Sequence, residues 1–452
     1  MTGFCTRDEA SLRDAAAAAV EQARALGVDA ASATVRAGGG ISIKVRGGVA
    51  ESAVRDAYQS LSLTVYRDGR TGGASTVALD DASIARVVAE AHAIAGLVQP
   101  DADAGLADPE TLAWESPAPE MFAHSGQSPE SLMARALELE ALTADAAAQA
   151  SGSVRAGEVA VGSSDHLSAL ATSAGFCRSI AASTHTQWAT ALADDPNGPS
   201  VREYAQASDR RFDALGPVSA QARQAVERAV AQRGGRSIAG RRAPVLFEAR
   251  IAPTLIHALT QALFGQAQHS RASWLAGALG TAIAADHLDL VEDPFEPFGM
   301  ASGGWDHEGV AGSRRAIIAR GRCQGYFLGS RSARKLGMRS TGNADGPWNL
   351  ILSSHAPGGT AAAMRQVMGT GLIVTQLQGG GSDPVTGNWT QAVSGFWVEG
   401  GEIVHPVIDV TLGGRLPDMW RRVVAVGEDR ERQGAVRTGS ILVDDMQIGG
   451  RA

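Results

Sequence analysis

Apolar residues in the first hundred positions follow a helical period, then a strand period, then a helical one again. Arg7 to Leu26 is Ala-rich and predicts a helix capped by Thr6 and Gly27. Ser32–Arg36, Ile41–Val45, Ser60–Tyr66 and Gly73–Val77 predict strands. Leu61, Leu63 and Val65 alternate with Ser62 and Thr64, as a strand buried on one face requires. Asp68-Gly69 supplies a hairpin turn, and Asp80-Asp81 opens a second helix, Ala82 to Leu97. Residues 1–98 therefore predict an α+β unit with its helices on one face of a sheet.

Residues 99–128 are rich in Pro, Asp, Ala and Gly, have no period, and predict a linker crossing the surface. A second unit of the same kind, without sequence repeat, follows over 129–232. It has a helix at Pro129–Ala150, strands at Glu158–Val161, Leu167–Thr172, Ser179–Thr186 and Glu203–Ala207, and a helix at Pro217–Gln232. A basic Gly-rich link, 233–242, leads into 243–452. There Pro244–Phe247 predicts a strand, and Ile251, Leu255, Leu259 and Leu263 draw one apolar stripe along a helix over 251–264. His257 lies about 180° from the middle of that stripe, at roughly 100° per residue. Short strands between Gly turns fill the rest: Trp348–Ser353, Leu372–Leu377, Ala392–Val398, Val404–Val410 and Ser440–Val443. The expected architecture is α+β, with N-terminal helix–sheet–helix units followed by a mostly antiparallel, barrel- or sandwich-like β domain.

Composition narrows the function. The chain has 452 residues, 44% of them apolar and 19% charged, as in ordinary globular proteins. Its net charge is −8, and its Arg groups are interleaved with Gly or apolar residues, which argues against a nucleic-acid interface. Cys5, Cys177 and Cys323 are far apart and form no C-x-x-C, which predicts a reducing compartment. No apolar leader or membrane-spanning run is visible, so a cytoplasmic protein away from membranes is expected.

No phosphate loop, strand-bound G-x-G-x-x-G or G-x-S-x-G elbow is present. The glycines of Gln376–Trp389 lead into Asp383, Pro384 and Gly387-Asn388, which predicts a hairpin. No two histidines are spaced i, i+4. His307-Glu308 is the sole His-Glu step, with Ala311 and Gly312 where a second ligand would fall. His257 and His269, 12 apart, are left as a pair that folding could bring together.

Several stretches carry a family resemblance. Val245–Trp274, Gly299–Val310, Ser332–Gly346, Met368–Gly387, Ser394–Val407 and Gly439–Gly450 resemble the TldD/TldE (PmbA) family of peptidase subunits, on its TldE/PmbA branch. The family's catalytic subunit has a His-Glu-x-x-x-His helix and a Cys ligand near its C-terminus. Aligned on Arg271, the first His falls on His257, the Glu on Ala258 and the second His on Ala262. Cys323 is the last cysteine, and nothing after Glu428 replaces the Cys ligand. A zinc peptidase needs imidazole ligands and a carboxylate base. The resemblance therefore implies no catalytic or metal residue and no cofactor in this chain. It implies zinc in a TldD-like partner subunit, an unfolded peptide as substrate, and processing of a precursor such as a peptide microcin. It also implies a channel rim near Thr370, Gly371, Gly380 and Ser382. A large exposed apolar interface would favour a homodimer in the partner's absence. Two other readings stay open: a non-proteolytic regulator of the DNA gyrase modulator kind, and a hydrolase with its own nucleophile.

Overall fold

The computed structural model describes residues 5, 7–195, 198, 200–344, 346–431 and 434–451. Helix α1 (Glu9–Ala25) starts at Asp8, whose side chain accepts the Ser11 N–H at 2.8 Å. The cap expected at Thr6 lies outside the described residues. Leu12, Ala16, Ala19, Val20 and Ala23 form the buried stripe of α1. A hairpin of β1 (Ala30–Arg46) and β2 (Val49–Arg67) follows, then β3 (Arg70–Thr76). Asp68 and Gly69 make the β2–β3 turn with φ of 52° and 70°. Helix α2 (Asp81–Ala95) is capped by Asp80. After the linker come α3 (Pro129–Gln149), β4 (Val154–Thr172), β5 (Cys177–Ala193), β6 (Val201–Asp209) and α4 (Val218–Ala231).

These six strands form one antiparallel sheet in the order β3-β2-β1-β4-β5-β6. Residues 1–98 and 129–232 thus share a sheet, joined where β1 pairs β4 from Ser32↔Thr172 to Val45↔Val159. The expected break between Arg36 and Ile41 does not occur. Gly38 stays in the strand because the Tyr58 ring lies over it, and a Cβ there would sit 2.4 Å from that ring. Side chains of a strand alternate between faces. Ala31, Ala33 and Val35 pack under α1 and α2, and Ile41, Ile43 and Val45 pack under α3 and α4. All four helices therefore cover one face. The opposite face is largely polar, except where Leu170 packs with Phe176, Trp305 and Val310, and residues beyond 240 cover it in part.

The C-terminal region begins with β7 (Arg241–Phe247), α5 (Pro253–Gln261) and α6 (Gly265–His269). Then come β8 (Leu288–Asp293), β9 (Arg315–Ala319), β10 (Arg322–Cys323), α7 (Ser330–Lys335), β11 (Asn349–Ser354) and α8 (Ala361–Met368). Strands β12 (Gly371–Ser382), β13 (Asn388–Glu399) and β14 (Glu402–Arg415) follow, then α9 (Leu416–Arg421), β15 (Val423–Val426), β16 (Val436–Arg437) and β17 (Ile441–Gly449). The run β14-β13-β12-β7-β17 closes on itself where Leu412 of β14 pairs Ile448 of β17, so this sheet is a barrel. Only β7 and β12 run parallel within it. A second sheet, β10-β9-β8-β11-β16, lies beside the barrel. Val245, Phe247, Leu372, Val374 and Trp397 share a core with Leu255, Ile256 and Leu259 of α5. Leu246, Ile373 and Leu442, on the other side of the same strands, pack with Met364 and Met368 of α8.

Strand β3 lies so close to α2 that a Cβ on Gly72 would fall 2.0 Å from the Ala91 carbonyl, whereas Gly73 has nothing nearer than 3.8 Å. Gly72→Ala should lower stability by about 1–3 kcal/mol through overpacking, and Gly73→Ala should leave it nearly unchanged, as read from denaturant midpoints.

Candidate functional site

Helix α5 is shorter than the 251–264 span expected from its stripe. It stops at Ala262, Phe264 has φ −67° and ψ 140°, and α6 restarts the helix at Gly265. Leu255, Ile256, Leu259 and Thr260 are buried, while Thr254, His257 and Gln261 share the exposed face. Burial by the surrounding chain lowers the His257 pKa, with no neighbouring charge to offset it, so the ring is neutral at pH 7. Ala258 packs against the core, and Ala262 is fully buried within it. The Ala262 carbonyl, an orphan acceptor at a helix end, is held at 2.6 Å by both Gln268 Nε2 and Ser273 Oγ. Both of these side chains are buried.

Three positions that would supply two ligands and a base thus hold one outward imidazole and two methyl groups turned to the core. They do not fit a zinc ion, which needs converging N, S or O donors. Cys323 is buried in the same core with its Sγ toward the Gly325 carbonyl, and burial raises its pKa. Among the described residues, no group of three or more His, Cys, Asp or Glu side chains could hold a metal.

Beside α5 a cavity of about 710 Å³ opens between the polar face of the N-terminal sheet and the barrel. Trp188, Arg202 and Tyr204 line it from β5 and β6; Arg250 and Thr254 line it from the entry to α5, and Gln376 from β12. His257 is one helical turn beyond Thr254, on the same exposed face. The Arg250 side chain is only 4% exposed. It donates to Glu203 Oε2 at 3.0 Å, to Glu248 Oε2 at 3.3 Å and to the Thr375 carbonyl at 2.8 Å, and its guanidinium stacks over Tyr204. Glu203 also accepts from Gln376 Nε2 at 2.6 Å. Burial opposes the Arg250 charge, but Glu248 and Glu203 outweigh it and raise its pKa. Burial pushes the Glu248 carboxyl up, against the pull of Arg250 and Arg228.

The cavity borders an open strand edge. β7 pairs β12 only over Leu372–Val374, and from Gln376 onward β13 is the sole neighbour of β12 among the described residues. Such an edge can accept an extended peptide through main-chain hydrogen bonds. Gly379 to Gly381 lie within β12, while the turn runs from Asp383, which accepts the Val385 N–H at 2.8 Å, to Gly387 with φ of 72°.

The four expected rim residues do not gather at one site. Thr370 and Gly371 stand at the start of β12, Gly380 and Ser382 near its end, on the order of 30 Å away at ~3.3 Å per residue. Gly371 is buried against Pro244 and Met368, while Thr370, Gly380 and Ser382 are exposed. His269 lines a cavity of about 400 Å³ with His307 and Glu308, away from His257. Glu308 accepts the Ser330 N–H at 2.7 Å, and the neighbouring Asp306 is buried, accepting the N–H groups of Glu308, Val310 and Ala344.

Comparisons with known proteins agree with this architecture. The PmbA/TldA metallopeptidase C-terminal domain matches residues 240–450, and PmbA/TldA metallopeptidase domain 1 matches residues 33–95. Metalloprotease PmbA of Escherichia coli O157:H7 is 34% identical over 424 residues, 94% of this chain and 93% of that protein. Among solved structures, a Bacteroides thetaiotaomicron protein provisionally named a modulator of DNA gyrase superposes with a TM-score of 0.87. It is 21% identical, covering 97% of this chain and 99% of that one. TldE from Thermococcus kodakarensis gives 0.80 at 18% identity, covering 96% of this chain and 100% of its own.

Replacing Arg250 by Leu removes the cation between two carboxylates. Breaking a buried pair in this way costs about 3–5 kcal/mol, so the denaturant midpoint of Arg250→Leu should fall well below that of an Arg202→Leu control at the cavity mouth.

Proposed function

The chain belongs to the PmbA/TldD metallopeptidase family, and from that premise we propose that it is the metal-free partner of a zinc-bearing, TldD-like subunit, acting on unfolded peptides in the cytoplasm. The observation that carries this reading is that the positions where a catalytic helix would present its base and second ligand hold two methyl groups, Ala258 packed against the core and Ala262 fully buried within it. Rebuilding those ligands would mean forcing charged or aromatic groups into a packed core.

The contribution of such a subunit is shape. The cavity beside α5 and the open edge of β12 together offer an extended chain a groove and a row of backbone partners, independent of its sequence. Pairing with that edge needs an exposed extended segment, which an unfolded chain offers along its whole length, and this supports unfolded substrate. Three unpaired cysteines fit a reducing compartment, and among the described residues no helix is long and apolar enough to cross a membrane.

Tagged protein isolated from its host should bring down a subunit carrying His-Glu-x-x-x-His. The pair should cleave an unfolded peptide in a chelator-sensitive manner, and this chain alone should cleave none. Cleavage by the isolated chain would refute the proposal. In the pair, Ala262→His should lower activity through this chain's stability, with a drop of about 1–3 kcal/mol from overpacking, rather than add a second zinc.

A further inference from the structure

A second cavity, of about 310 Å³, lies at the other end of the N-terminal sheet. Its floor is the outward face of the β1–β2 hairpin. Ser32 stands opposite Thr64, Thr34 opposite Ser62, and Arg36 opposite Ser60, so the floor is a ladder of hydroxyl pairs ending in a guanidinium. Tyr66 continues the row at the far end. None of these hydroxyls bonds another described residue, and Arg36 forms no ion pair with one.

The roof is preformed. Gly105 to Ala107, part of the linker, close over the floor. The linker is fastened to α7: Arg334 bonds the Asp103 and Leu106 carbonyls and pairs with Asp108 at 3.0 Å. Arg331 reaches Asp101 at 2.6 Å, and Lys335 reaches Asp101 and Asp103, each at 3.2 Å. Glu308 forms a wall, held by the Ser330 N–H at the start of α7. Burial first, and then the Glu308 charge against the opposing pull of Arg334, raise the Tyr66 pKa, which puts the anion at the Tyr66 end. Arg36 is six strand residues away from that end, roughly 20 Å at ~3.3 Å per residue.

From this arrangement we infer that the cavity binds a short zwitterionic peptide, with its carboxylate at Arg36 and its ammonium at Glu308. Arginine matches a carboxylate with two parallel donors. Ser and Thr hydroxyls both donate and accept, so the floor serves the amide groups of an extended backbone without reading its side chains. An extended chain advances at most about 3.3–3.6 Å per residue. With two long side chains reaching inward from the ends, three or four residues bridge the charges, and the small volume restricts them to small side chains. The site is separate from the cavity beside α5 and is independent of the partner-subunit reading.

The test is calorimetric titration of the full chain with tri-alanine, N-acetyl-tri-alanine and tri-alanine amide. Saturable 1:1 binding of tri-alanine is expected, at least tenfold weaker for each capped form. Arg36→Gln should abolish the preference for a free carboxylate, and Glu308→Gln the preference for a free ammonium. Thr34→Val, which keeps shape and removes one hydroxyl, should weaken binding several-fold. Arg86→Gln, on the exposed face of α2 and outside both cavities, should leave it unchanged. Absence of saturable binding, or binding unaffected by Arg36→Gln, would overturn the inference. So would loss on Arg202→Gln with retention on Arg36→Gln, because it would move the ligand to the α5 cavity.

Discussion

Arg250 is where the two halves of the molecule are locked. It belongs to the turn between β7 and α5, yet its guanidinium is spent on Glu203 of β6 and on the Thr375 carbonyl of β12, with Glu248 alongside. A buried ion pair is tolerated only when its partners are all in place, because the desolvation of each charge is large. That condition makes the cluster a device for position more than for net stability. It fixes the edge of the N-terminal sheet, the start of α5 and the strand whose edge is open, all with respect to one another. The walls of the larger cavity are those same elements.

What α5 does follows from which way it is turned. Its inward face is continuous with the barrel core, and its last carbonyl is consumed by Gln268 and Ser273. A helix that holds a metal must expose two or more donors along one face and leave room for an ion between them. Here the exposed face carries Thr254, His257 and Gln261, and the positions one residue and five residues after His257 are methyl groups, the first half-buried against the core and the second inside it. The same frame that could serve chemistry serves as a wall.

Much of this was legible beforehand, and the reasons for the rest are physical. Leu61, Leu63 and Val65 declared both a strand and its buried face, and Asp68-Gly69 declared the turn, because these are local preferences. The barrel was foreshadowed by regular strands between glycine turns. The merging of the first two units into one sheet was hidden, since β1 and β4 pair across more than a hundred residues and no local pattern encodes a partner. Gly38 looked like a break and is a contact, because the Tyr58 ring that fills its place is remote in sequence. Arg250 and Glu203, 47 residues apart, carried no sign of each other. At the candidate site the sequence disclosed which donors were missing at Ala258 and Ala262, but not that Ala262 closes a helix. Thr370 and Gly371 stand at the start of β12 and Gly380 and Ser382 near its end, a separation that only the strand makes visible. Ser62 and Thr64 read as the wet face of a strand. Only the fold reveals that the linker roofs them.

Under the proposed function, the α5 positions of this chain exclude an ion and another subunit supplies catalysis. Metal content per chain, determined by inductively coupled plasma mass spectrometry on protein loaded with excess zinc and then passed through a desalting column, addresses it directly. No stoichiometric zinc on the wild-type chain, and none gained or lost on His257→Ala, is the predicted result. One tightly held zinc per chain that disappears with His257→Ala would contradict it.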